Sequence, residues 1–120
     1  MTQQSLILAV DRNRRNLELL TQFLGKEGYE TMAATNFDEF EQVLSDNEVK
    51  LVLLDISGFD RSIWNLCEQL QGEQIPFLII SPKQSAAIQQ ESLAHGARSM
   101  LVKPLIVKQL LGLIQSLLEN

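Results

Sequence analysis

Short, uninterrupted apolar runs alternate along this chain with segments whose apolar residues recur at helical spacing, and this alternation constrains the fold more than any other feature. Solid runs, as opposed to alternating ones, are typical of parallel strands that are covered on both faces. The repeated strand–helix order predicts an α/β domain, in which right-handed crossovers place helices on both faces of a parallel sheet. The predicted strands are Leu6–Val10, Thr31–Ala34 at an edge of the sheet, Leu51–Leu54, Phe77–Ile80 and Met100–Val102.

The segments that connect these runs predict amphipathic helices. Gly28 and Gly96 follow two of them, as C-terminal glycines do, and Pro104 is predicted to lie in the first turn of the last helix. The stretch from Lys83 to His95 carries the weakest helical pattern. The apolar side chains expected to face the sheet are Leu17, Leu20, Phe23, Leu24, Phe37, Phe40, Val43, Leu44, Ile63, Leu66, Cys67, Leu70, Ile88, Leu93, Ala94, Ile106, Leu110, Leu113, Ile114 and Leu117.

Composition narrows the classes of function. A chain of 120 residues suffices for one buried core, so we expect residues 1–120 to form a single domain. With 15 acidic and 10 basic residues, the net charge of −5 argues against nucleic acid or an anionic membrane as the partner. One Cys and one His exclude a cysteine-based zinc cluster and a multi-histidine metal site. No apolar run approaches the roughly 20 residues of a membrane-spanning helix, and the sequence shows no signal peptide, so we expect a cytoplasmic protein.

Polar residues end four of the predicted strands at the edge where sites form in open parallel sheets: Asp11, Asp55, Ser81 and Lys103. Any one of them is explained by the need to end an apolar strand, and Asp and Ser are common helix N-caps. Together they supply one carboxylate that can attack phosphorus and a second that can help hold a divalent cation. The hydroxyl and the ammonium group can bind phosphoryl oxygens. Four complementary groups at one edge therefore indicate phosphoryl chemistry.

Four stretches of the chain, LILAVDRNRRNLELL, LVLLDIS, PFLIIS and GARSMLVKP, resemble the receiver domains of two-component response regulators. The resemblance implies the flavodoxin-like, CheY-like (βα)5 fold, which is doubly wound and has a five-stranded parallel sheet in the order 2-1-3-4-5. It also implies that Asp55 accepts a phosphoryl group, that Lys103 binds the phosphate and that Ser81 is the switch hydroxyl. Met100 occupies the switch position, where the family usually has an aromatic residue. Receiver domains are signalling modules, so no enzyme activity is expected.

The acids that bind Mg²⁺ in this family are only partly present. The resemblance implies metal contacts from Asp11, Asp55 and the backbone carbonyl of Ser57, but Arg12 stands where most receivers carry a second acid. Arginine offers no lone pair, and at about 4 Å with an effective dielectric near 20 a cation–cation contact costs about 4 kcal/mol. The sequence therefore predicts weakened Mg²⁺ binding. Arg12 either pairs with Asp55 in place of the metal or points to solvent.

The function that follows from the resemblance is phosphorelay signal transduction, with a histidine kinase or phosphotransfer protein as the donor. The face formed by helix 4, strand 5 and helix 5 would bind an output domain, an output protein or a second copy, because the last helix is apolar around most of its circumference. Two alternatives stay open. One is a pseudo-receiver, an interaction module without Mg²⁺-dependent phosphorylation. The remote one is a haloacid dehalogenase-type phosphohydrolase, which needs a second Asp where this chain has Ser57.

Overall fold

Each apolar run of the sequence forms a strand, and each strand is followed by a helix, in the computed structural model, which describes residues 5–119. The ends of the predicted domain, residues 1–4 and 120, lie outside the described residues. The strands are β1 (Leu6–Val10), β2 (Glu30–Ala34), β3 (Val49–Asp55), β4 (Phe77–Ser81) and β5 (Ser99–Val102). The helices are α1 (Arg14–Lys26), α2 (Phe37–Asp46), α3 (Ile63–Gly72), α4 (Ala86–Ala94) and α5 (Val107–Leu118).

The sheet is parallel throughout, and its strand order is β2-β1-β3-β4-β5, as predicted. β2 is an edge strand, which was also expected from its poor apolar run. The register pairs Val10 with Leu54 and Ser81 with Val102, at the carboxyl ends of their strands. The carboxyl ends of β1, β3, β4 and β5 therefore lie side by side, and this edge carries the candidate site.

Two layers of helices cover the sheet. α2 and α3 contribute Phe40 and Leu70 to the core on one face, and α1 and α5 contribute Leu24 and Ile114 to the core on the other. Residues of the inner strands divide between these two cores, which explains why their apolar runs are solid and not alternating. Within residues 5–119, none of the helices is long and apolar enough to cross a membrane.

Local side-chain chemistry sets several helix ends. The side chains of Asn13, Asn36 and Ser85 accept hydrogen bonds from backbone N–H groups in the first turns of α1, α2 and α4. Gly28 and Gly96 have φ angles of 93° and 101° directly after the ends of α1 and α4, a conformation that favours glycine. Both glycines therefore end helices as predicted.

The start of the last helix differs from the prediction. α5 begins at Val107, so Pro104 precedes the first turn and does not lie within it. Ile106 was expected to face the sheet, but it is the N-cap residue, has an extended backbone and is 64% exposed. Its side chain leaves the helical stripe because its backbone is not helical, so the buried contacts of α5 begin at Leu110.

The orientation of α4 also differs from the prediction. Leu93 is 48% exposed and Ala94 is exposed, although both were expected to contact the core. The buried residue of this helix is Ser92, whose hydroxyl donates to the carbonyl of Ile88 at 2.7 Å. A hydroxyl satisfied within its own helix can be buried at low cost, which lets α4 pack on β5 through a face with little apolar surface.

Candidate functional site

The strand ends bring three ionisable side chains together. Asp55 is the last residue of β3, while Asp11 and Lys103 directly follow β1 and β5. Both carboxyl side chains are buried, whereas Lys103 is partly exposed. An apolar strand that ends in a charged residue places that charge at the rim of the core, where neighbouring strands determine its partners. The predicted edge therefore holds two acids and one base in a partly desolvated cleft.

Both carboxylate oxygens of Asp55 have partners. The Lys103 ammonium nitrogen lies 2.5 Å from Oδ2, and the backbone N–H of Ser57 donates to Oδ1 at 2.9 Å. Lys103 is itself held in place, since its backbone N–H donates to the carbonyl of Ser81 at 3.0 Å. The Asp55 carboxylate and the Lys103 ammonium group are therefore fixed against each other by the sheet.

Asp11 is the second acid of the cleft. Its Oδ1 accepts a hydrogen bond from the backbone N–H of Asn13 at 2.8 Å. Burial raises the pKa of Asp11, and the neighbouring Asp55 carboxyl raises it further, while the Asn13 hydrogen bond and the Lys103 charge lower it. The net shift of the Asp11 pKa is upward. Asp11 and Asp55 thus share one nearby cation, Lys103, which forms its ion pair with Asp55.

Ser81 and Met100, the two residues predicted to act as the switch, make their contacts with groups other than the Asp55 carboxylate. Ser81 is buried at the end of β4, and its hydroxyl donates to the carbonyl of Lys83 at 2.7 Å, within its own loop. Met100 is paired with Ile79 in the sheet and packs, partly buried, against the core on the α2 and α3 side. Neither side chain has a hydrogen bond or ion pair to Asp55 in this arrangement.

Arg12 crosses the mouth of the cleft towards the loop between β3 and α3. Its guanidinium carbon lies 5.5 Å from the centroid of the Phe59 ring, and that ring stacks on Phe37 with centroids 5.8 Å apart. Within residues 5–119, no ion pair joins Arg12 to Asp55. Arg12 is exposed while it lies over Phe59, so of the two positions expected for Arg12 the structure agrees with the one towards solvent and not with the pairing. Phe37 was expected to face the sheet, but as the first residue of α2 it is 36% exposed and stacks on Phe59 instead. Phe59 was not predicted, because a contact between a loop and a helix end leaves no periodic pattern.

The family model for "Response regulator receiver domain" matches residues 7–115 of this chain. The chain therefore belongs to the family of response regulator receiver domains, which are regulatory modules of two-component signalling and not typical enzymes. The resemblance inferred from the four sequence stretches and the fold inferred from the strand–helix alternation are both confirmed. The comparisons do not favour the pseudo-receiver or the phosphohydrolase.

Individual relatives agree with this membership. The transcriptional regulatory protein GltR of Pseudomonas aeruginosa is 28% identical over 118 residues, which are 95% of this chain and 49% of that protein. A two-component response regulator from Clostridium difficile has a solved structure with a TM-score of 0.88 and 24% identity, covering 98% of both chains. A Burkholderia pseudomallei response regulator, solved with a phosphorylated aspartic acid, calcium ion and citrate, has a TM-score of 0.81 and 23% identity, covering 90% of this chain and 65% of that one. The chain spans about half the length of the curated relatives that it matches.

Receiver domains typically bind Mg²⁺, but the oxygen donors of this cleft do not fit that ion well. Mg²⁺ requires near-octahedral oxygen coordination. The sequence provides the carboxylates of Asp11 and Asp55 and a backbone carbonyl at Ser57, and both Asp55 oxygens already have hydrogen-bonding partners. Among the described residues, no group of three or more His, Cys, Asp or Glu side chains could hold a metal ion. Arg12 adds a positive charge in place of a third acid, and this charge further disfavours a divalent cation.

Proposed function

We propose that this chain receives a phosphoryl group on Asp55 from a phosphohistidine of a histidine kinase or phosphotransfer protein in the cytoplasm. The observation that supports the proposal most directly is the 2.5 Å contact between the Lys103 ammonium nitrogen and Oδ2 of Asp55. A buried carboxylate paired with a partly exposed ammonium group gives a nucleophile with a cation beside it for the oxygens of an incoming phosphoryl group.

The transfer is a displacement at phosphorus. A carboxylate oxygen of Asp55 attacks the phosphorus atom and forms an O–P bond. The P–N bond to the donor histidine breaks, and its electron pair stays on the imidazole nitrogen. Lys103 neutralises charge on the phosphoryl oxygens, and the Ser57 N–H holds the other carboxylate oxygen in place.

The switch follows from the hydroxyl of Ser81. In the structure this hydroxyl donates to the carbonyl of Lys83. A phosphoryl oxygen on Asp55 is a charged acceptor and is therefore a stronger partner than a neutral carbonyl. We expect Ser81 to turn to the phosphoryl group, which shifts the loop that leads into α4 and repacks Met100 beside it on β5. The result is a changed partner surface.

The donor has an open approach to Asp55 along α1 and α5. A cavity of about 790 Å³ lies between these helices and reaches Asp11, Asp55 and Lys103. Its walls are largely apolar, with Leu20, Phe23, Leu105 and Val107 among the lining residues. A protein donor that places a phosphohistidine at the cleft can therefore bury apolar surface beside it, which supports a protein as donor.

The output side is the face formed by α4, β5 and α5. Leu93, Ile106 and Val107 are its exposed large apolar residues. We propose that this face binds an output domain or a second copy of the chain. Sedimentation velocity of the phosphorylated and unphosphorylated protein tests the second copy, with dimer formation that is lost in Val107→Lys as the expected result. A monomer at all concentrations contradicts the homodimer.

The phosphorylation itself is tested by incubation with acetyl phosphate, with and without Mg²⁺, and by incubation with a cognate kinase. Intact mass spectrometry is expected to show the gain of one phosphoryl group in the natural protein and none in Asp55→Asn. Lys103→Met is expected to lower the yield by about tenfold or more, because one charge-stabilising donor is removed. The absence of an Asp55-dependent mass gain under every condition would instead indicate a pseudo-receiver.

A further inference from the structure

The mouth of the cleft holds a cation that stacks on an aromatic ring. The aliphatic part of the Arg12 side chain passes over Gly58, where a β-carbon would lie 3.6 Å from Cγ of Arg12. Gly58 has a φ of 79°, a conformation that favours glycine, so the loop approaches Arg12 closely without strain. The guanidinium then lies over Phe59, and the Phe59 ring stacks on Phe37.

The guanidinium of Arg12 lies over this ring, and its charge adds to the Ser62 hydrogen bonds that lower the pKa of the nearby Asp60. Three other arginines of the chain form ion pairs, Arg14 with Glu39, Arg15 with Glu18 and Arg61 with Glu91. Within residues 5–119, Arg12 has no carboxylate oxygen within 4.0 Å. A cation–π contact of an exposed guanidinium such as that of Arg12 is weaker than a charge-assisted hydrogen bond to an anion. Arg12 is therefore free to leave Phe59 when a stronger anionic partner appears beside it.

Phosphorylation of Asp55 creates an anionic partner close to the backbone of Arg12. Arg12 directly follows Asp11, whose carboxyl lies beside Asp55 at the carboxyl ends of the adjacent strands β1 and β3. A phosphoryl group on Asp55 adds negative charge to a cleft in which Lys103 is the close cation. The oxygen donors of the cleft do not fit Mg²⁺, so the charge needs another counterion.

We propose that Arg12 leaves the Phe59 ring and binds a phosphoryl oxygen of phosphorylated Asp55, so that Arg12 and Lys103 together replace the metal in this receiver. The inference rests on the proposed phosphorylation of Asp55. It goes further by making the reaction independent of a divalent cation. Arginine suits the role, because its planar donors bind phosphate in a bidentate manner.

The test is labelling by acetyl phosphate in buffer freed of divalent metals by chelating resin, read by intact mass. We expect the natural protein to be labelled, Arg12→Gln to be labelled about tenfold less or worse, and Arg12→Lys to recover part of the loss. Arg12→Asp, which restores the acidic pair, is expected to require millimolar Mg²⁺ and to bind it in a calorimetric titration. Arg15→Gln removes the same charge from a nearby exposed site and is the matched control, expected to behave like the natural protein.

A second measurement detects binding of a phosphoryl mimic and does not depend on phosphoryl transfer. Beryllofluoride mimics the bound phosphoryl group, and its fluorine NMR signal is expected to show a metal-free complex with the natural protein but not with Arg12→Gln. Labelling of the natural protein only with Mg²⁺, or equal metal-free labelling of Arg12→Gln, would overturn the role of Arg12 and leave Asp55 phosphorylation intact. A failure of every protein to be labelled with or without Mg²⁺ would overturn the proposed function as well.

Discussion

The neighbouring helices α3 and α4 differ greatly in how they are held to the domain. Ser92 is the buried residue of α4, and Leu93 beside it is 48% exposed. α3 instead turns a complete apolar stripe into the core, and its buried residues are Ile63, Leu66, Cys67 and Leu70. Burial of apolar side chains is the dominant stabilising contribution, so α3 is fixed while α4 has little to lose by moving.

Contacts near the surface supply much of the link between the two helices. The ring of His95, at the end of α4, stacks on Trp64 of α3 with centroids 5.1 Å apart, and its Nδ1 lies 3.3 Å from Oε2 of Glu68. Arg61 and Glu91 form a further exposed ion pair at 3.9 Å. Exposed pairs of this kind contribute about 0–1 kcal/mol each. The cleft therefore lies on rigid strands, while α4, the helix after the Ser81 loop, can be displaced at low cost.

The largest expected effect comes from truncating the buried face of α3. Leu70→Ala removes a fully buried side chain and leaves a cavity, so we expect the free energy of unfolding to fall by about 3 kcal/mol. Leu93→Ala makes the same chemical change on α4, where the side chain is half exposed, and is expected to cost less than about 0.5 kcal/mol. Urea unfolding followed by circular dichroism measures both. Equal losses would break the contrast between the helices.

The sequence predicts the position of a residue where the local pattern of apolar residues shows which side chains are buried. The strand ends at Asp11 and Asp55 were predictable, because a solid apolar run must stop where the core stops, and the charge that stops it lies at the rim. The exposure of Leu93 was not, since a helix with almost no amphipathic pattern does not define its buried face. The position of Arg12 over Phe59 was also out of reach, because it depends on how two loops meet after folding.

The buried Cys67 thiol of α3 makes the stability of the domain depend on pH. Burial raises the pKa of Cys67 from 9.0 to about 12, and the charge of Glu68 contributes to the rise. Between the unfolded and folded pKa values the unfolded state binds fewer protons, so stability falls as pH rises above about 9. The expected loss is about 1.4 kcal/mol per pH unit more than in Cys67→Ala. Urea unfolding at several alkaline pH values measures it, and parallel pH profiles for the two proteins would contradict the shift.

The contact between Trp64 and His95 should have a smaller effect. His95→Ala removes both the stacked ring and the partner of Glu68, so we expect a loss of about 1 kcal/mol in unfolding free energy. Trp64 is the only tryptophan of the chain, so the protein's tryptophan fluorescence comes from this ring and is expected to change in intensity or wavelength. Gln90→Ala, an exposed change on the same helix, is the control and should leave the spectrum unaltered. An unchanged spectrum in His95→Ala would mean that the stack does not hold α4.

The smallest expected effect is at Ser92, although this is the buried residue of α4. Ser92→Ala removes the hydrogen bond from the hydroxyl to the Ile88 carbonyl, which contributes about 1 kcal/mol, but alanine has the higher helix propensity and leaves no unpaired donor. These terms nearly cancel, so we expect a change below about 0.5 kcal/mol in urea unfolding. A loss comparable with that of Leu70→Ala would show that α4 is anchored as firmly as α3. In that case a shift of α4 on phosphorylation would carry a high energetic cost, and the readout would have to run through β5 and α5 instead.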